Sequence, residues 1–268
     1  MLFDELIFGH YGHFLFTKRE NAKTFFVFEF SFVYLHPYIS ADTMTQQEKI
    51  VDHVSQMILS LGVKSVRMDD VANSLGMSKR TLYELFGDKE ELLSQSIVHM
   101  MERRCKNISE QVRDCDNMLE VLMKSIKIFT NSGQVSDMEK RLTANLKKFY
   151  PAVYEKVQRI HSEWGVQGLQ YALDRCLAEG YLDPSVDVEL MARLFFTSTG
   201  MLMSDNDVIL PDGISREEAF GAMVVNFLRG LSTVKGLQLI DEMLAREPRP
   251  KTLKERRAEL EAEAKENN

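Results

Sequence analysis

Cysteine is scarce in this chain, with three in 268 residues, and Cys105, Cys115 and Cys176 form no CxxC pair. Wide spacing and an odd count argue against a disulfide framework or a zinc site. Buried free thiols in a reducing cytosol are the expectation. The six histidines are scattered too; His10 and His13 lie three apart in a poor context for a metal. Glycine and proline, 14 and 6 residues, are too few for a turn-rich all-β protein. No run of 18 apolar residues occurs, so no membrane-spanning helix is expected. An excess of positive charge is also missing. The net charge of −7 excludes a basic coat and leaves room only for a local basic face. Neither a glycine-rich phosphate loop nor a Ser/His/Asp, Cys/His or paired-carboxylate arrangement is identifiable, so no enzyme, cofactor or metal is expected.

What is present is ordinary for a globular protein, at 44% hydrophobic and 27% charged residues. Aromatic residues are the exception, because 12 of the 25 fall within residues 1–43. Phe26, Phe28, Phe30, Phe32 and Tyr34 alternate with Val27, Glu29, Ser31 and Val33, a period of two that predicts a strand. Asp4 and Glu5 stand where a secretory signal needs positive charge. Residues 1–43 therefore read as a loosely ordered or strand-like extension, or as the product of an upstream start codon. A membrane-surface anchor is the rival reading, and a strand-like run with few basic residues suits it poorly.

From Gln46 onward the pattern is helical. Ile50, Val54, Ile58 and Leu61 form one stripe ending at Gly62. Met68, Val71, Ala72 and Leu75 form a second, ended by Gly76. Ser78 is a good N-cap for a third, and Asp88 with Glu91 opens a long fourth. Further helices are expected over Leu119 to Thr130, Asp137 to Tyr150, and Pro151 to Gly180. Another should start at Asp183-Pro184, and one at the capping box Ser215/Glu218. Residues 246–268 carry seven basic and six acidic side chains and read as a solvated tail or frayed helix.

The two short helices joined by Gly76-Met77 have the shape of a helix-turn-helix spanning Arg67 to Phe86. On the second of them Leu82, Leu85 and Phe86 share an inward face. Lys79, Arg80, Tyr83 and Glu84 lie opposite. Such a helix presents its N-terminal residues to base edges, where Lys, Arg and Thr81 have the right donors. The module Met44–Met100 holds six basic and eight acidic residues, so binding must rest on the placement of a few cations.

Residues 62–92 resemble the TetR/AcrR family of bacterial transcriptional regulators. The resemblance is carried by Gly62, Asp70-Val71-Ala72, the Gly76-Met77-Ser78 turn, Thr81-Leu82-Tyr83-x-x-Phe86 and Lys89-Glu90-x-Leu92. It implies an all-α homodimer with a DNA-binding module (44–91), a helical regulatory and dimerisation domain (92–245) and the charged tail (246–268). Carried over by position, Ser78, Lys79, Arg80 and Thr81 would lie on the DNA, and Tyr83 and Lys89 would meet phosphates. Arg67, where the family commonly has a small hydroxyl residue, would face a phosphate. The implied function is a ligand-responsive, cytoplasmic repressor that binds a palindromic operator in double-stranded DNA and answers a small-molecule effector. Met123, Phe129, Tyr150, Tyr154, Trp164 and Tyr171 are the candidate effector contacts, with ordinary core as the alternative. Leu190, Leu194 and Met201 on one helix, and Phe220, Val224, Phe227 and Leu231 on another, are the expected dimer interface. The alternative from another class is an all-helical interaction protein that has lost DNA binding. The joint presence of Lys79, Arg80, Tyr83 and Lys89 argues against it.

Overall fold

The computed structural model describes residues 45–131, 137–203, 210–211, 213–246 and 251–266. The predicted strand in residues 1–43 lies outside them, as does most of the polar loop after Met203. Among the described residues the fold is all-α, with eleven helices. These are α1 (Gln46–Leu61), α2 (Met68–Ser74), α3 (Lys79–Phe86), α4 (Lys89–Gln111), α5 (Met118–Asn131), α6 (Asp137–Phe149), α7 (Pro151–Ala178), α8 (Val188–Met203), α9 (Arg216–Leu231), α10 (Val234–Ala245) and α11 (Leu253–Glu266).

Local chemistry sets most of the boundaries. Thr45 and Glu48 form a full capping box on α1, and Ser215 with Glu218 does so on α9. Asp88 supplies half a box to α4. Its carboxylate accepts from the Glu91 amide, but the Glu91 side chain turns away to Gln95 and Lys156. Pro151 occupies the first turn of α7, where its missing amide hydrogen costs nothing. Gly62, Gly76, Gly87 and Gly180 all take positive φ after a helix or in a turn.

The expectation that a helix restarts at Asp183-Pro184 is corrected, since α8 begins at Val188. Asp183 accepts from both the amide and the hydroxyl of Ser185, a local turn that competes with helix. The backbone here is also held by residues 231–233: the Asp183 amide donates to the Leu231 carbonyl, and Leu182 bridges Ser232. Asp187 is the actual cap, accepting from the Leu190 amide at 2.9 Å. Two helices lie where the sequence suggested none or only fraying. Thr233 caps α10, whose Ile240 is buried. Arg256 fastens α11 to Glu218 at 2.7 Å and to the Gly213 carbonyl at 3.0 Å.

The core forms two apolar clusters. One joins Ile50, Val54 and Ile58 of α1, Val71 of α2, Leu82 and Phe86 of α3, and Leu92, Leu93 and Ile97 of α4. It continues into α6 and α7 through Leu146, Val153 and Val157. The other gathers the far end of α4 with α5, α7, α8, α9 and α10 around Leu122, Leu173, Phe195 and Phe220. Helix α4 and helix α7 therefore run through both clusters. The boundary drawn at residue 91 falls at the first turn of α4, whose next residues pack into the module's own core.

Candidate nucleic-acid interface

Helix α3 has only eight residues, too short to persist alone in water. Its anchors are Leu82 and Phe86, both buried, and each contributes about 2 kcal/mol of burial. The Ser78 hydroxyl accepts from the Thr81 amide at 3.0 Å and lies 2.8 Å from the Thr81 hydroxyl. In the preceding turn Gly76 sits at φ 64°, and the Met77 amide donates to the Ala72 carbonyl. Buried at its base and capped at its start, α3 turns Lys79, Arg80, Tyr83 and Glu84 outward. The outer face is as predicted from the wheel.

In the free protein the two leading cations are engaged. Lys79 donates to Asp69 of α2 at 2.9 Å, and that bond holds its ammonium above the usual lysine range. Arg80, with a side chain 88% exposed, bonds Glu84 one turn on at 2.8 Å. Nothing in the sequence marks Asp69 as a partner, since a carboxylate ten residues before Lys79 carries no signal of contact. Glu84 is solvated and paired with Arg80 on its own helix. Arg67 stands at the N-cap of α2 with no side-chain cap bond, as its lack of a hydroxyl acceptor foretold. Tyr83 is 41% exposed. Lys89 opens α4 but points at another part of the chain. It donates to the Tyr150 hydroxyl at 2.8 Å and lies 5.1 Å from that ring's centre.

Among the described side chains, the candidate effector residues do not all gather in one place. Met123 is buried in the cluster around Leu122. Tyr150 and Tyr154 pack against the module-side cluster instead. Burial pushes the Tyr154 phenol up to about 12. Trp164 is half-buried and Tyr171 is 42% exposed on α7. The side chain of Phe129 lies outside the described residues. An open cleft of about 420 Å³ lies elsewhere, between α1, α4 and α7. Its lining includes Glu48, Glu91, Gln95, His99, Glu102 and Lys156, and none of the six candidates. Periodicity grouped these residues by helix face, and α7 spreads its faces along 28 residues and two cores.

The expected dimer residues divide in the same way. On α8, Leu190 and Leu194 are each 48% exposed and Met201 is 58% exposed. On α9, Phe220 and Val224 are buried in the chain's own core. Those two are corrected from interface to interior. Phe227 is partly buried, its ring 4.9 Å from Phe195, and Leu231 is also partly buried. A stripe at helical spacing reports burial but not against which partner.

All three thiols are free, with Cys105 and Cys176 buried and Cys115 half-buried. Burial raises the Cys176 thiol to about 12 and Cys105 further, so neither is a thiolate at neutral pH. Among the described residues no three His, Cys, Asp or Glu side chains group as a metal site, and no helix is long and apolar enough to cross a membrane.

A capped, outward-facing second helix on a short first helix, braced by a third and a fourth, defines a helix-turn-helix module on an all-helical body. Residues 56–95 match the family described as bacterial regulatory proteins, tetR family. The match covers the helix-turn-helix and the start of α4, and leaves the rest of the chain outside it. The chain is 21% identical over 94 residues to the HTH-type transcriptional regulator AlkX of Mycobacterium tuberculosis (strain ATCC 25618 / H37Rv). That match covers 35% of this chain and 44% of the relative, so the chain spans less than half the length of that relative. The crystal structure of a transcriptional regulator from Cytophaga hutchinsonii ATCC 33406 shares the fold, with a TM-score of 0.53 at 16% identity. It covers 69% of this chain and 98% of the other.

Proposed function

We propose that this chain is a ligand-responsive transcriptional repressor that binds a palindromic operator in double-stranded DNA as a homodimer. The observation that carries the reading is α3. Its buried Leu82 and Phe86 leave Lys79, Arg80 and Tyr83 projecting from a capped N-terminus. A recognition helix needs that arrangement to reach base edges in the major groove. Lys79, Arg80 and Thr81 would read bases or phosphates. Ser78 would hold the helix start, and Arg67, Tyr83 and Lys89 would position the phosphate backbone. Asp69 and Glu84 act as internal stand-ins for phosphate, so DNA must displace them, and affinity is set by that exchange.

The exposed Leu190, Leu194 and Met201 of α8 support the homodimer, since together they make an apolar stripe on a surface helix. Two recognition helices about one helical turn apart follow from a two-fold axis. An effector would bias two arrangements of the helices that run through both cores, α4 and α7. The chain has no catalytic role in this reading, and it acts in the cytoplasm.

The deciding experiment is selection of duplexes from random DNA with the full chain, then binding by Lys79→Ala/Arg80→Ala. Both residues are exposed, so the helical circular-dichroism signal should persist while specific binding disappears. A double variant that protects the same site would refute the role given to α3.

A further inference from the structure

Resting on the DNA-binding reading, we propose that the corner where α6 meets α7 is a second nucleic-acid contact, a lysine–aromatic patch that holds the phosphate backbone flanking the recognition site. Its parts come from distant points in the chain. Lys64 lies in the turn between α1 and α2, and its ammonium sits 4.7 Å from the centre of the Phe149 ring. Lys148 sits 5.3 Å from the centre of the same ring. One residue on, Tyr150 carries Lys89, and Lys147 stands 5.0 Å from the Tyr154 ring centre. Four lysines therefore gather on three rings in a chain whose net charge is −7.

The kind of contact matters. A carboxylate neutralises the cation it pairs with, as Asp69 does for Lys79 and Glu84 for Arg80. An aromatic face attracts an ammonium but leaves its full charge in place. Lys64 and Lys148 form no ion pair among the described residues, and both are exposed. Two like charges over one ring repel each other, and an arriving anion relieves that repulsion. Phe149, 38% exposed, acts as a fixed post that pre-orders both side chains.

Continuity with the recognition surface selects the partner. Lys64 is three residues before Arg67, and Lys89 belongs both to the predicted phosphate contacts and, through Tyr150, to the patch. A surface that extends a helix-turn-helix with Lys64 and Lys148, which pair with no carboxylate among the described residues, suits the next phosphates of the same duplex.

The test uses the full chain and a duplex recovered by selection with the wild type, prepared once with long flanks and once trimmed to the central site. Lys64→Gln/Lys148→Gln removes both charges and leaves polar side chains at two exposed positions. On the long duplex the plot of log affinity against log salt should flatten by about 2 per bound chain, at about 0.9 per lost phosphate contact. The footprint should shrink towards the centre. On the trimmed duplex the variant and the wild type should bind alike. An unchanged slope and footprint on the long duplex overturns the patch while the DNA-binding reading stands. A loss that persists equally on the trimmed duplex also overturns it, because the lysines then serve the central site. A wild type that recovers no duplex overturns both readings.

Discussion

The Lys89–Tyr150 bond makes a prediction whose sign is not obvious from either residue alone. Lys89 cannot serve a DNA phosphate and the Tyr150 hydroxyl fully at once. In the free protein the hydroxyl accepts from the ammonium at 2.8 Å, with the ring 5.1 Å away. Tyr150→Phe deletes the hydroxyl and keeps the ring. A hydrogen bond to a charged group contributes about 1.5–3 kcal/mol net, and the lower end applies to a half-buried lysine. The aromatic contact, about 0.5–1 kcal/mol, survives the substitution. The lost bond stabilises the free state more than the DNA-bound one, so losing it should raise DNA affinity. If the bond breaks completely on binding, the gain is about tenfold per chain, since about 1.4 kcal/mol is a factor of ten. The same change should lower thermal stability by a comparable amount. Fluorescence anisotropy on the selected duplex, with thermal unfolding in parallel, measures both. Lys89→Gln is the control and should weaken binding and flatten the salt slope by about 0.9. If Tyr150→Phe loses stability but binds DNA with unchanged affinity, Lys89 does not leave Tyr150 and the competition is refuted.

Assembly should respond to α8 and not to the core of α9. Leu194→Glu places a charge on a side chain 48% exposed, and should leave the monomer folded while sedimentation shows a mass near one chain. A fully dimeric Leu194→Glu would move the interface away from α8. Acidification should expose His161, which is buried and whose imidazole burial holds well below its usual value of 6.5. The unfolded chain takes up that proton below about pH 6.5 and the folded chain does not, so stability falls as pH drops, by up to about 1.4 kcal/mol per pH unit. Denaturant unfolding from pH 7.5 downwards reads this slope, and a His161→Leu variant should flatten it; an identical slope in the variant would assign the acid sensitivity to other groups.

Much of the module was legible because its signals are local. The caps at Ser78 and Asp88 lie within three residues of the amides they satisfy, and Gly76 takes the positive φ its place in the turn demands. The outward face of α3 followed from a wheel of eight residues with two large anchors. The start of α8 was misplaced for the same kind of reason. Asp183-Pro184 has the chemistry of a helix start, but Asp183 spends its carboxylate on Ser185, and its amide pairs with a residue 48 positions away. The capping box at Thr45 and Glu48 is equally local, its two partners three residues apart.

Sequence alone determined the all-α class, the helix-turn-helix and the identity of its outward cations, because period, cap and turn are properties of neighbouring residues. Tertiary structure alone decided what each apolar or charged side chain meets. Phe220 and Leu194 sit on equally convincing stripes, yet one is sealed in the core and the other faces solvent. Lys64 and Phe149 stand 85 positions apart, and Lys89 and Tyr150 stand 61 apart. No periodicity encodes such meetings. They arise because α6 and α7 return to pack Leu146 and Val157 into the module's own core, and that closure carries Phe149 and Tyr150 to the lysines.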